Sequence, residues 1–108
     1  SWDVSSVTRV EGMFWGADDF NQNISGWDLS SVTHMGGMFS NANSFNQDIS
    51  GWDVSSVINM DYMFNYATFF NQNLSSWCVT NITSEPIAFS TNSPLTSANK
   101  PVWGTCPP

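Results

Sequence analysis

Large apolar residues return along this chain at a fixed interval of 25 residues. Trp2, Trp27, Trp52 and Trp77 keep that step, and so do Phe20, Phe45 and Phe70. Met13, Met38 and Met63 repeat with Phe14, Phe39 and Phe64 beside them, followed by Ala17, Ala42 and Ala67. Ile24, Ile49 and Leu74 form another column, and Val7, Val32, Val57 and Ile82 one more. Residues 1–25, 26–50 and 51–75 are three nearly complete units, and a fourth starts at Ser76 before the pattern fades. A unit this short cannot bury its own apolar side. Stacking units puts like residue over like and makes one continuous core.

Within a unit the pattern predicts three parts. Residues 45–50 read as a short extended segment, with Phe45 and Ile49 four apart. Gly51 turns the chain, and residues 52–54 continue extended. Residues 56–64 read as a short helix or 3-10 turn, because Val57, Met60, Met63 and Phe64 fall on one helical face. The expected fold is a repeat solenoid, leucine-rich-repeat-like. It has short parallel strands on one face and short helices or 3-10 turns on the other. Residues 1–83 form the solenoid, and residues 84–108 form a C-terminal cap.

The run Phe45-Asn46-Gln47-Asp48-Ile49-Ser50-Gly51-Trp52-Asp53-Val54-Ser55-Ser56-Val57, with Met63-Phe64 after it, carries a resemblance. It resembles the repeat of unknown function found in many mycoplasma lipoproteins and other bacterial surface proteins, grouped with the BspA-like leucine-rich repeats. The resemblance covers residues 1 to about 83. It implies a surface location and an adhesive or interaction role, and it carries over no catalytic residue. Residues 84–108 resemble the Cys-bearing tails that close such arrays.

Composition narrows the partners. Two basic residues against nine acidic ones leave a net charge of −7. That charge repels phosphate backbones and anionic lipid surfaces, so neither nucleic acid nor a membrane surface is expected as a partner. No apolar run approaches the roughly 18 residues of a membrane span. The chain opens in mid-pattern with no leader, which suggests that it is processed or cut from something longer. Cys78 and Cys106 are the two cysteines, both in the last third, and predict one disulfide in an oxidising compartment. The expected location is extracellular or at a cell surface.

The repeat supplies its own internal comparison. Asn21, Asn46 and Asn71 do not vary, nor do Gln22, Gln47 and Gln72. They read as hydrogen-bonded amide ladders or as a polar ligand strip. Asp3, Asp28 and Asp53 form a carboxylate column. Capping of the following turn is the simpler reading, and calcium held between units is the other. A copy in every unit is not how a catalytic pair is built. His34 shares a variable polar column with Arg9 and Asn59, and no histidine–carboxylate–nucleophile set can be assembled. No cofactor motif, metal site or enzyme activity is expected.

The columns that vary are the candidates for recognition. Trp15, Tyr62, Tyr66 and Phe69 are aromatics at phases where other units carry Gly, Asn, Asp or Ser. With Arg9 and His34 they form the candidate binding surface for a protein or a glycan, although extra packing would also account for the aromatics. Asn23, Asn73 and Asn81 head sequons and are candidate glycosylation sites. The expected function is an extracellular module for adhesion or for protein or glycan interaction. The alternative is a building block of a filament or stalk, with partners that are further copies of the same repeat.

Overall fold

The computed structural model describes residues 3–108. Trp2, the first member of the tryptophan column, lies outside them.

Each unit is a succession of tight turns closed by hydrogen bonds between residues three apart. Val7 N–H donates to the Val4 carbonyl at 3.0 Å, Met13 to Val10 at 3.1 Å, Ala17 to Phe14 at 3.0 Å and Phe20 to Ala17 at 3.2 Å. Trp27 N–H closes the series on Ile24 at 3.1 Å. Between these local bonds, alternate N–H groups point to the next unit. Gly12, Phe14 and Gly16 donate to the carbonyls of Gly36, Met38 and Ser40 at 3.0, 2.9 and 2.8 Å. Gly37, Phe39 and Asn41 repeat this toward Asp61, Met63 and Asn65 at 2.8, 2.9 and 2.8 Å. Tyr62, Phe64 and Tyr66 repeat it toward Ile87, Phe89 and Thr91.

This alternation corrects the expected fold. No leucine-rich-repeat-like solenoid of parallel strands and short helices forms. Among the described residues the one helical element is a 3-10 turn at Ser97–Asn99, and strand pairing is limited to isolated parallel bridges Arg9–His34 and His34–Asn59. An α-helix needs every successive N–H to bond four residues back, whereas here every second one leaves the unit. The turns themselves forbid both elements. Their third residue is left-handed, at Gly12 (φ 63°), Gly16 (68°), Gly37 (64°), Asn41 (59°), Tyr62 (62°) and Tyr66 (58°). That is the position where a type II turn requires positive φ. Of the three-residue steps Val57, Met60 and Met63, which suggest a helical face, the second is a closed turn, with Met63 N–H on the Met60 carbonyl at 3.1 Å, while Val57 closes the turn before it on Val54. The result is a compact globule of 34 × 31 × 20 Å with a radius of gyration of 12.5 Å.

The core is the register of like on like. Phe14, Phe39 and Phe64 stack with ring centroids 5.6 Å apart at each step. Phe20, Phe45 and Phe70 stack beside them at 5.8 and 5.7 Å. Within a unit the two rings lie 4.1 Å apart. In the second and third units Phe39, Phe45, Phe64 and Phe70 are fully buried, whereas Phe14 and Phe20 of the first unit are only partly so.

The tail continues this scheme in a degenerate form. Phe89 N–H closes a turn on Pro86, and Ser93 N–H closes one on Ser90. Their third residues, Ala88 (φ 52°) and Asn92 (57°), are again left-handed. Phe89 meets Phe64 edge-on at 5.4 Å, and Trp103 meets Phe89 edge-on at 4.9 Å. Leu74 and Val79 donate to the carbonyls of Asn99 and Thr105 at 2.7 and 2.9 Å. Cys78 and Cys106 are joined by a disulfide across 28 residues. Phe89 and Leu95 are buried, while Val102 stays outside.

Candidate functional site

The invariant polar columns are structural ties between units. Asn21 Oδ1 accepts the Asn46 N–H at 2.9 Å, and Asn46 Oδ1 accepts the Asn71 N–H at 3.0 Å. Gln47 Nε2 donates to the Asn21 carbonyl and to its Oδ1, both at 3.0 Å, and Gln72 treats Asn46 in the same way. Asn99 extends the line from the tail by donating to Asn71 Oδ1 at 3.0 Å.

The carboxylate column caps turns. Asp3 Oδ1 accepts the Ser5 hydroxyl at 2.7 Å and the Ser5 N–H at 3.0 Å. Asp28 with Ser30 and Asp53 with Ser55 repeat this at 2.6 and 3.0 Å. The serine hydroxyl, then the serine N–H, holds each of these carboxyls below the usual aspartate range. The neighbouring carboxylate in the column pushes Asp28 and Asp53 the other way, as the smaller effect. Among the described residues no three His, Cys, Asp or Glu side chains come together in a way that could hold a metal ion.

Arg9 and His34 lie on one row with Asn59, joined by the parallel bridges. Arg9 is exposed and grips Glu11 with two nitrogens, Nε to Oε1 at 2.9 Å and Nη2 to Oε2 at 3.1 Å. His34 Nδ1 lies 2.9 Å from Thr33 Oγ1. The sequon asparagines are all exposed. Asn23 and Asn73 use Oδ1 to cap Ser25 and Ser75, each at 2.9 Å, while Asn81 Nδ2 is engaged with the Ser55 carbonyl at 3.1 Å.

The aromatic candidates lie on the turns. Trp15, Tyr62, Tyr66 and Phe69 are 60%, 45%, 47% and 65% exposed. Trp15 lies against Gly37 of the next unit, where an added Cβ would meet its ring carbons at 3.0 Å. Tyr62 occupies the Gly37 position one unit further on. Not every position in these columns is exposed: Ser40, the Trp15 equivalent in the second unit, is fully buried. The tyrosines are the unexpected feature. A bulky residue at positive φ is strained by about 1–2 kcal/mol relative to glycine. Tyr62 and Tyr66 accept that conformation four residues apart and still leave nearly half of their surface exposed. The same turn positions in the other units, Gly12, Gly16, Gly37 and Asn41, are the signal in the sequence that could have identified them. A groove of about 340 Å³ between the third unit and the tail has no such signal.

Among the described residues no helix is long and apolar enough to cross a membrane. Residues 1–102 match the model of a family described as a Mycoplasma protein of unknown function, DUF285. The match runs past residue 83 into the tail, in keeping with the two further turns found there. No curated protein and no solved structure matches the chain.

Proposed function

We propose, for a chain that belongs to the DUF285 family, that it is an extracellular recognition module that acts by binding and not by catalysis. The observation that carries this reading is the pair Tyr62 and Tyr66, exposed and left-handed at φ 62° and 58°. Strain of this kind persists where the displayed side chain has a use. Two phenol rings on consecutive turns, with Phe69 and Trp15 on two other variable columns, offer flat apolar faces with polar tips, which suit a protein or glycan surface. The Cys78–Cys106 disulfide suits an oxidising location outside the cell.

The test compares the chain with a Tyr62→Gly/Tyr66→Gly variant on a printed array of neutral oligosaccharides and a panel of immobilised extracellular proteins. Binding is expected to at least one member, lost in the variant while thermal stability is kept or raised. No binding anywhere, or binding that survives the double change, would overturn the reading.

A further inference from the structure

One indole lies across the glycine turns of the first two units. Trp15 Cε3 and Cζ3 both lie 3.0 Å from the point where a Cβ on Gly37 would sit, and Trp15 Cε3 lies 3.8 Å from the same point on Gly12. The ring leans from the first unit onto the second, where the missing Cβ leaves it room. It nevertheless remains 60% exposed, so packing under a neighbour does not account for it.

The column that holds Gly12 and Gly37 continues in the third unit with Tyr62, and Tyr66 follows Gly16 and Asn41 in the column four residues on. Backbone bonds hold these units in line, Gly12 N–H to Gly36 and Gly37 N–H to Asp61. The indole and the two phenols therefore succeed one another along the stack. Ser40 and Asn41 of the second unit and Asn65 of the third stand among the rings, and none of them is charged. Asn41 and Asn65 direct Nδ2 to the buried Ser40 hydroxyl at 3.3 and 3.5 Å, and among the described residues neither Oδ1 makes a hydrogen bond. The carboxylates next to Gly12 and Tyr62 in the chain are engaged, Glu11 with Arg9 and Asp61 with the Ile87 N–H.

We infer that this row of rings takes a neutral, β-linked oligosaccharide laid along the stack. The assignment rests on Tyr62 and Tyr66 being a recognition site, and adds Trp15 and the ligand class. Sugar rings of such a chain present C–H faces that pack on indole and phenol rings. Their hydroxyls lie at the ring edges, where an amide carbonyl accepts them and a phenol hydroxyl exchanges hydrogen bonds with them. A β-linked chain is extended, which suits rings set in a line along a straight stack. A protein partner would bury an apolar patch at the centre of its interface, whereas the groups among these rings are one hydroxyl and two amides.

The probes are β-linked hexamers of glucose and of N-acetylglucosamine, with the matching dimers, titrated into the isotope-labelled chain and followed by NMR of the indole N–H and the aromatic rings. At least one hexamer is expected to shift the Trp15 indole together with the Tyr62 and Tyr66 rings. Its dimer, which cannot engage all three rings, should bind about tenfold more weakly. Trp15→Ala should weaken the hexamer about tenfold, the scale of losing one aromatic anchor, and Trp15→Phe should restore part of that loss. The inference is overturned if hexamer and dimer bind alike, or if Trp15→Ala binds as the parent chain does. If neither hexamer binds while an immobilised extracellular protein is held through Tyr62 and Tyr66, the saccharide falls and the recognition reading stands. Binding to nothing removes both.

Discussion

The indole Nε1–H of Trp52 donates to the main-chain carbonyl of Ile24, 3.1 Å away and 28 residues earlier in the chain. Trp77 repeats the bond on Ile49 at the same distance. The tryptophan column thus joins units by a polar bond as well as by apolar burial, which leaves Trp52 4% exposed. Trp52→Phe keeps most of the burial and removes one of the two hydrogen bonds on the Ile24 carbonyl, which keeps the Trp27 N–H, at a cost of about 0.5–1.5 kcal/mol. Trp52→Ala should cost about 3–5 kcal/mol. Trp15→Ala, at an exposed ring, should cost much less. Urea unfolding of the three variants checks the order, and equal losses at Trp15 and Trp52 would contradict it.

The left-handed turn positions make opposite predictions for two substitutions on one column. Tyr62→Gly relieves positive φ and should stabilise by about 1 kcal/mol, which raises Tm by about 4–8 °C in a domain of this size. Gly37→Ala should destabilise, because φ is 64° and the new Cβ would press on Trp15 at 3.0 Å. Scanning calorimetry of both variants decides the point. A Tm that falls in Tyr62→Gly would show that the phenol packing outweighs the strain.

The capping aspartates set an acid limit. Folding lowers the pKa of Asp3, Asp28 and Asp53, so the folded chain takes up these protons less readily than the unfolded one. Their contribution is complete above the ordinary aspartate pKa of about 3.9 and is lost as pH falls below it toward the lowered folded values. Tm should hold between about pH 7 and 5 and drop below about pH 4. Asp28→Asn/Asp53→Asn should flatten that drop. A wild-type Tm unchanged to about pH 2.5 would remove the caps from the account.

The Cys78–Cys106 bridge closes a loop of 28 residues. Cys78→Ser/Cys106→Ser should lose about 3.5 kcal/mol in the chain-entropy model. Thiol titration of the denatured, unreduced protein should find no free thiol. Two free thiols would refute the pairing.

The sequence by itself determined the register. Trp27, Phe45, Met38 and Val32 recur at one period because each must lie on its counterpart, and burial of large apolar side chains imposes that period. It also exposed the amide ladder, the aspartate caps, the cysteine pair and the columns free to vary. Only the tertiary structure decided what conformation lies between those points. Val57, Met60 and Met63 at three-residue steps satisfy a helix and a chain of turns equally. The choice falls to turns because the partners of Gly37, Phe39 and Asn41 N–H are carbonyls 24 residues away, a distance that local spacing does not register. For the same reason, the strain at Tyr62 and Tyr66 and the groove beside Met60 arise only once the units stack. The first comes from turns that glycine serves elsewhere, the second from the meeting of the third unit with the tail.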